Sequence, residues 1–426
     1  MSPDVIVAGC GPAGMMAAIA AAERGARVTV LEGMERPGKK LLLTGNGKCN
    51  LTNLNPALPE SYRSVEEGGT DTACRILDQF SVKDTMDFFH KLGLLTTDRN
   101  GYVYPRTGQS ASVLELLLAR MRQLRIKLKY SEKIRAIRRE DDGLWQVTTG
   151  SWTYRCHRLI LCCGSRAAAA TGSDGSGYEL ARQAGHRITS ILPALTALKG
   201  KKQPFLPAAA GVRCPAKVSL YGIPLGDTKE QFLSEDTGEL QLNEEGISGI
   251  VVFQGSRYAA LALSEGKRVS ARLDFLPEKG EIELSSWIKG RQSLWAGADV
   301  PVQSALSGLL PGKLLSAVLR ETGIKPAARM DSLGERQITE LVRQMKGFIL
   351  PVTGTRGFAQ CQVCAGGIAL EEVDGATLES KKCPGLFFAG EILDVDGPCG
   401  GYNLQWAWSS GYVAGSRAAG ADKVKR

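Results

Sequence analysis

The feature that most narrows what this chain can fold into is a glycine spacing near its N-terminus. Val5-Ile6-Val7-Ala8 is an apolar run of strand length, and Gly9-Cys10-Gly11-Pro12-Ala13-Gly14 follows it directly as a complete G-x-G-x-x-G. The alanine-rich stretch from Met15 to Arg24 is predicted helical and stops at Gly25, and Arg27 to Leu31 reads as a second strand with an acid, Glu32, at its end. Strand, glycine turn, helix, strand and acid in this order are the pattern of a Rossmann βαβ unit. Gly9 allows the tight turn, Gly11 lets backbone approach a pyrophosphate, and Gly14 lets the helix lie close to the strand. The helix start at Ala13 aims free N–H groups and a positive dipole end at phosphate. Glu32 is placed to accept a hydrogen bond from a ribose hydroxyl. The motif alone does not separate a nicotinamide from a flavin dinucleotide.

The other end of the chain makes that choice. Leu386-Phe387-Phe388-Ala389 reads as a short apolar strand ending in Gly390-Glu391, and Gly400-Gly401 precedes Tyr402-Asn403-Leu404 at the start of a predicted helix, Gln405 to Arg417. An acid after a strand-end glycine can bind a ribityl hydroxyl. A Gly-Gly turn opening a helix aims N–H groups and a dipole at the edge of a ring that gains negative charge. Sites at both ends of a long chain suit FAD. Between them, Arg158 to Cys163 is a further buried strand, ending at Gly164.

Two segments carry a family resemblance. One is Gly38-Lys39-Lys40-Leu41-Leu42-Leu43-Thr44-Gly45-Asn46-Gly47-Lys48-Cys49-Asn50-Leu51-Thr52-Asn53; the other is Gly366-Gly367 together with Gly390 to Asp396 and Gly400 to Ala407. The chain resembles the BaiN-like and aminoacetone-oxidase-like flavoproteins, within the glutathione-reductase-type FAD fold. The resemblance implies an α/β fold: a Rossmann-type FAD-binding domain with an inserted β-barrel-like subdomain and a helical subdomain. It also implies that Lys40, Thr44, Gly45, Asn46, Gly47, Cys49 and Asn50 lie at the cofactor, and that backbone near Ile134 meets the adenine. Lys48, Cys364 and Tyr102 depart from the Arg, Thr and Arg expected at those positions, which bears on how a substrate is held.

The expected boundaries are 1–190 and 350–426 for the FAD domain, 191–276 and 326–349 for the barrel-like insert, and 277–325 for the helical insert. Residues 188–276 are read as short strands and turns. No second G-x-G-x-x-G with its strand, helix and acid occurs, so NADH or NADPH is expected as a transient donor. The segment Gly172 to Tyr178 is expected as a capped turn near the substrate side of the flavin. Tyr178 and Tyr104 are candidate proton donors, and Cys49 is a further catalytic candidate. Cys361-Gln362-Val363-Cys364 lacks the helix start a redox pair wants and the second pair a zinc site needs, so no metal is expected. His90, His157 and His186 have no triad spacing.

The eleven scattered cysteines point to a reducing, cytoplasmic setting, and the uncharged stretch from Val5 to Ala22 follows an aspartate and is broken by Pro12, unlike a signal peptide or membrane span. Net charge is +9, from 53 basic and 44 acidic residues, and nine basic residues fall between Arg120 and Arg139 against Glu132 alone. That run reads as the solvated face of a helix–strand pair, with no nucleic-acid partner. The expected activity is NAD(P)H-dependent reduction of an activated C=C bond in a bile-acid-like 3-oxo steroid. An FAD-dependent amine oxidase using O2 is the alternative, and a flavin-binding RNA-related protein a minor one.

Overall fold

The strand that precedes the glycine turn, β1 (Val5–Ala8), lies in the middle of a five-stranded parallel sheet whose other members are β2 (Val28–Leu31), β3 (Lys127–Lys129), β4 (Arg158–Leu161) and β5 (Leu386–Phe388). The order is β5-β4-β1-β2-β3, and each adjacent pair runs parallel. This computed structural model describes residues 3–55 and 59–420. Every residue of β1 and β2 is buried, as the unbroken apolar runs require of strands covered on both faces. Ala8 stands level with Leu31 on one side and Leu161 on the other, so three strand ends open together onto one edge.

Three helices matter for that edge. They are α1 (Pro12–Glu23), α2 (Ser110–Gln123) and α3 (Tyr402–Ala418). α1 begins with proline in its first turn, where the missing N–H is no loss. It is buried from Ala13 to Ala21, and its alanines let α3 approach closely. A Cβ on Gly411 would lie 2.4 Å from the Ala13 carbonyl oxygen, and one on Gly415 2.1 Å from that of Ala17. Two glycines one turn apart thus seat the C-terminal helix on the N-terminal one. Two small antiparallel sheets complete this unit. One joins Thr52–Asn53, Tyr102–Pro105 and Thr96–Arg99; the other joins Ile134–Arg139, Trp145–Thr149 and Thr153–Cys156.

The chain divides into two units, 1–192 with 362–426, and 193–361. The second has its own apolar core and a closed six-stranded barrel, ordered Leu198–Gly200, Gly246–Ser248, Gln231–Asn243, Arg213–Ile223, Arg268–Asp274 and Phe348–Thr355. Helices Glu281–Leu294, Gly312–Glu321 and Glu335–Gly347 belong to the same unit. The fold is the α/β class expected, a Rossmann-type FAD-binding fold with a barrel subdomain and helices.

Two details differ from the sequence reading. The return to the FAD unit falls after Cys361 rather than at 350. The reason is that Phe348–Thr355 closes the barrel, pairing with Arg268–Asp274 on one side and Leu198–Gly200 on the other. The stretch read as short strands and turns also contains a 15-residue helix, Ile250–Ser264. Its β-branched opening, Ile250-Val251-Val252, disguises it. Packing decides its state: a Cβ on Gly255 would lie 2.7 Å from Leu220 of the barrel.

Candidate functional site

At the dinucleotide end the glycines do what their spacing demands. A Cβ on Gly14 would stand 2.0 Å from the Gly9 carbonyl oxygen, so α1 can leave the turn this tightly only with glycine there. Gly11 faces open space, with no atom within 4 Å of a notional Cβ. Among the described residues the N–H groups of Gly11, Ala13 and Gly14 have no protein partner. Glu32 is fixed from two sides: Oε2 accepts from the Cys10 N–H at 2.7 Å and Oε1 from the Met34 N–H at 2.8 Å. Each carboxylate oxygen keeps a lone pair for a ribose hydroxyl. The backbone of Glu132 donates to the Glu32 carbonyl at 2.9 Å, and Gly33 lies against Lys133, which brings Ile134 beside this acid. Gly164 turns the chain after β4 against Ser173, whose Oγ would be 2.5 Å from a Cβ there.

At the other end Gly390-Glu391 is held from α3. The Gly390 N–H donates to Ser410 Oγ at 2.9 Å, and Trp406 Nε1 donates to the Gly390 carbonyl at 3.1 Å. The Glu391 carboxylate receives Lys40 Nζ at 2.5 Å and Ser165 Oγ at 3.0 Å. Lys40 belongs to the signature segment, whose turn carries left-handed backbone at Gly45, Asn46, Gly47 and Cys49. Asn46 and Cys49 hold that conformation without being glycine, which costs of the order of 1 kcal/mol each and marks a constrained loop. Thr44 anchors it: Oγ1 donates to the Leu41 carbonyl at 2.7 Å, and the Thr44 carbonyl accepts from the Cys49 N–H at 2.9 Å. Asn50, with its amide oriented by its partners, accepts from the Gly401 N–H at 3.2 Å and donates to the Val103 carbonyl at 3.1 Å. The next three N–H groups, of Tyr402, Asn403 and Leu404, have no partner among the described residues. They stand at the positive end of a 17-residue helix. The side chain of Asn403 is already committed, bonding Gly397 through both its oxygen and its nitrogen at 2.9 and 2.8 Å. Only its backbone is available to a ligand.

The three catalytic candidates differ in access. Tyr104 lies beside the signature loop, its Cε1 3.7 Å from a notional Cβ on Gly45. Cys49 is fully buried, and burial pushes its thiol up to about 12, so it stays neutral. Tyr178 is also closed off; its hydroxyl has no partner among the described residues, and burial raises its pKa well above 10.0, with Cys364, Glu391 and Asp394 adding to the shift. Residues 172–174 lie beside Met34, Glu32 and Lys133. A Cβ on Gly172 would meet Met34 at 2.7 Å and Glu32 at 3.9 Å, and Asp174 pairs with Lys133 at 2.5 Å. The segment is capped, since Asp174 Oδ1 accepts from the Ser176 N–H at 3.0 Å. His186 is structural: Nε2 bonds Ser380 Oγ at 2.7 Å and Nδ1 lies 3.3 Å from Glu372. Among the described residues no cluster of His, Cys, Asp and Glu could hold a metal, and no helix is long and apolar enough to cross a membrane.

Sequence reasoning missed Ser165, the neutral partner of Glu391, which carries no motif. Asn53, the last residue of the signature segment, has a partner the sequence did not indicate: its Nδ2 donates to the Gly400 carbonyl at 2.8 Å. Tyr102, standing where arginine was expected, lays its ring across Gly400, with Cε1 2.4 Å from a notional Cβ. Gly366-Gly367 proves to be a packing device: a Cβ on Gly367 would strike the Leu393 carbonyl carbon at 2.4 Å.

The residues fit FAD. Unpartnered N–H groups at two helix starts and a carboxylate pinned by backbone at one end match a pyrophosphate, a ribose and a ring edge. The class so defined is the FAD-dependent oxidoreductase with a Rossmann-type fold. Within it the chain belongs to the family described as HI0933-like protein Rossmann domain, whose model matches residues 3–417. It is 43% identical to the 3-dehydro-bile acid delta(4,6)-reductase of Clostridium scindens, over 97% of this chain and 98% of that one. It is 26% identical to the ribosomal RNA dihydrouridine synthase of Escherichia coli, over 96% of each. Among solved structures, the 3-ketosteroid delta1-dehydrogenase of Sterolibacterium denitrificans superposes with a TM-score of 0.51 at 14% identity, covering 98% of this chain and 99% of that one, a likeness of fold.

Proposed function

We propose that the chain reduces a carbon–carbon double bond conjugated with a carbonyl, in a 3-oxo steroid of the bile-acid type, with NADH or NADPH as transient donor. The observation that carries this reading is the 43% identity, across nearly all of both chains, to a protein named for that reduction. Bound FAD would carry hydride from the nicotinamide to the β-carbon of the conjugated bond. The chain's own residues then have separate tasks. The N–H groups of Gly11, Ala13 and Gly14 and the carboxylate of Glu32 hold the dinucleotide. The N-terminus of α3, with its unpartnered N–H groups, would favour negative charge on a bound flavin ring. Lys40 and Ser165 hold the Glu391 carboxylate in place, where it would accept from a ribityl hydroxyl. Tyr104, beside the signature loop, supplies the proton that completes the α-carbon. Cys49 and Tyr178 support the loop and the Glu391 region from within and take no part in proton transfer.

A uracil ring in ribosomal RNA is the second reading. It presents the same conjugated C=C–C=O group, and the name of the 26% identical relative favours it. Both readings are tested by reducing the holoprotein anaerobically with NADH or NADPH and then mixing it with air, a Δ4-3-oxo steroid or a uridine-containing ribosomal RNA fragment. Reoxidation by the steroid faster than by air supports the first reading, and by the RNA fragment alone the second. Reduction by an amine only, with fast reoxidation by O2, would establish an amine oxidase and overturn both. Tyr104→Phe should lower the rate of steroid reduction while leaving flavin reduction by nicotinamide intact.

A further inference from the structure

We propose that the basic face running from the end of α2 through β3 and into the Ile134–Arg139 strand is an RNA-docking surface of the FAD unit. The choice of RNA rests on the second reading above, while the surface itself is read from the structure. Of the nine cations between Arg120 and Arg139, three have acidic neighbours: Arg120 pairs with Glu23 at 2.6 Å, Lys133 with Asp174 at 2.5 Å, and Arg138 lies 3.8 Å from Glu140. The other six, Arg122, Arg125, Lys127, Lys129, Arg135 and Arg139, are all exposed and have no acidic partner among the described residues. The one acid within the run, Glu132, is buried and accepts from Thr149 Oγ1 at 2.5 Å, so it offsets nothing at the surface.

Two large rings stand among these charges. Tyr130 follows Lys129 directly and is 44% exposed, and Trp152 is 67% exposed. Trp152 sits at the turn between Trp145–Thr149 and Thr153–Cys156, its carbonyl accepting from the Thr149 N–H at 2.8 Å. The neighbouring Gly150 lies against Arg135, whose Nε would be 3.5 Å from a Cβ there. The fold leaves Tyr130 exposed, its hydroxyl feeling Arg122 as well as Cys10 and Glu32, and leaves Trp152 exposed on the hairpin turn whose Gly150 lies against Arg135.

Ordinary explanations cover part of this. Lysines on β3 protect the open edge of the sheet from pairing with another chain, and Arg122 and Arg125 suit the negative end of α2. Neither accounts for Arg135 and Arg139 on a different sheet, nor for two exposed rings beside unpaired cations. Four of the six charges are guanidinium groups, whose planar fork matches phosphate oxygens, and rings beside such a track stack on unpaired bases. A duplex-specific reader would instead need an element shaped to a groove.

The test uses the FAD-loaded full chain and three probes: a fluorescein-labelled RNA hairpin with a uridine-rich loop, a DNA duplex of equal length, and vesicles about one-third phosphatidylglycerol. The wild type should bind the hairpin with a steep salt dependence. Replacing all six cations by glutamine should weaken binding at least tenfold and flatten the log–log salt slope by roughly 0.7 for each phosphate no longer neutralised. FAD content should stay unchanged, since Lys129 meets Glu32 through its carbonyl and not its side chain. Trp152→Ala should weaken the hairpin about tenfold through lost stacking. If the sixfold variant loses its flavin, Arg135→Gln with Arg139→Gln, beside Trp152→Ala, makes the same test. Unchanged hairpin affinity in flavin-loaded variants, equal binding of the duplex, or preferential binding of vesicles would overturn the proposal. Hairpin binding abolished by neutralisation, with no reoxidation of reduced flavin by any conjugated substrate, would leave the surface standing and sink the reductase reading. Steroid turnover without hairpin binding would do the reverse.

Discussion

In the FAD unit, helices meet through atoms that leave no room for side chains. Gly411 and Gly415 of α3 sit on Ala13 and Ala17 of α1, and Gly14 sits on Gly9. In the barrel unit, close backbone approach at Gly246 and Gly249 sits at the strand ends, and the core is filled by bulk: Phe205 stacks on Phe348 with centroids 3.9 Å apart, and Leu220, Leu240, Leu273 and Leu315 are wholly or almost wholly buried. The two kinds of packing tolerate change differently. Close backbone approach fails when a single methyl is added, because nothing opposite can move. A side-chain core fails by degrees, as volume is removed. The contrast also separates their tasks, since backbone brought this close frees N–H groups for a ligand, whereas a filled barrel offers walls.

The largest expected effect is that of Gly14→Ala. Its methyl would fall 2.0 Å from the Gly9 oxygen, so the purified protein should lack bound flavin and its visible absorbance. A yellow, fully loaded variant would show that the turn can yield. Leu240→Ala in the barrel should lower stability by about 2–5 kcal/mol in denaturant titration, with FAD still bound to the folded protein. Loss of flavin in parallel would break the separation of the two cores. Glu391→Gln leaves Lys40 without its charged partner and should weaken FAD binding by about 1.5–3 kcal/mol, or at least tenfold, in a fluorescence titration. Unchanged affinity would remove Glu391 from the site.

A smaller effect concerns pH. Burial lowers the pKa of His186 below its ordinary 6.5, although Glu372 works in the opposite direction. The unfolded chain therefore takes up the proton first, so stability is full above about pH 6.5 and declines as pH falls through the lowered folded value. Thermal melts between about pH 7.5 and 5.5 should show this decline, and His186→Gln should flatten it. An equal slope in the variant would assign the dependence to other groups. The smallest change is opposite in sign to the first. Gly290, inside helix Glu281–Leu294, has nothing within 4 Å of a notional Cβ, so Gly290→Ala should raise the stability of the barrel unit by about 0.5–1 kcal/mol.

Much of the cofactor site was legible because its residues act over short spans. The spacing of Gly9, Gly11 and Gly14 and the acid at the end of β2 follow from strand and helix geometry. Gly390-Glu391 and Gly400-Gly401 announce a turn before a helix. The catalytic candidates were harder, because residue type says nothing about access: Cys49 and Tyr178 are closed off, while Tyr104 lies by the loop. The Asn403 side chain ties down Gly397, which leaves its backbone N–H as the group a ligand could meet. The helix Ile250–Ser264 was hidden by β-branched residues whose preference is overruled by packing on the barrel.

What sequence alone determined is the Rossmann start, the flavin-type finish and the membership of one family, since these depend on residues a few positions apart along one backbone. Only the tertiary structure decided which distant residues share a task. Lys40 meets Glu391 across 351 positions, and Asn53 meets Gly400 across 347. Local geometry is set by bond rotation and sterics near each residue. Long-range partnership is set by which surfaces pack, and in this fold the glycines of α3 and the alanines of α1 make that choice.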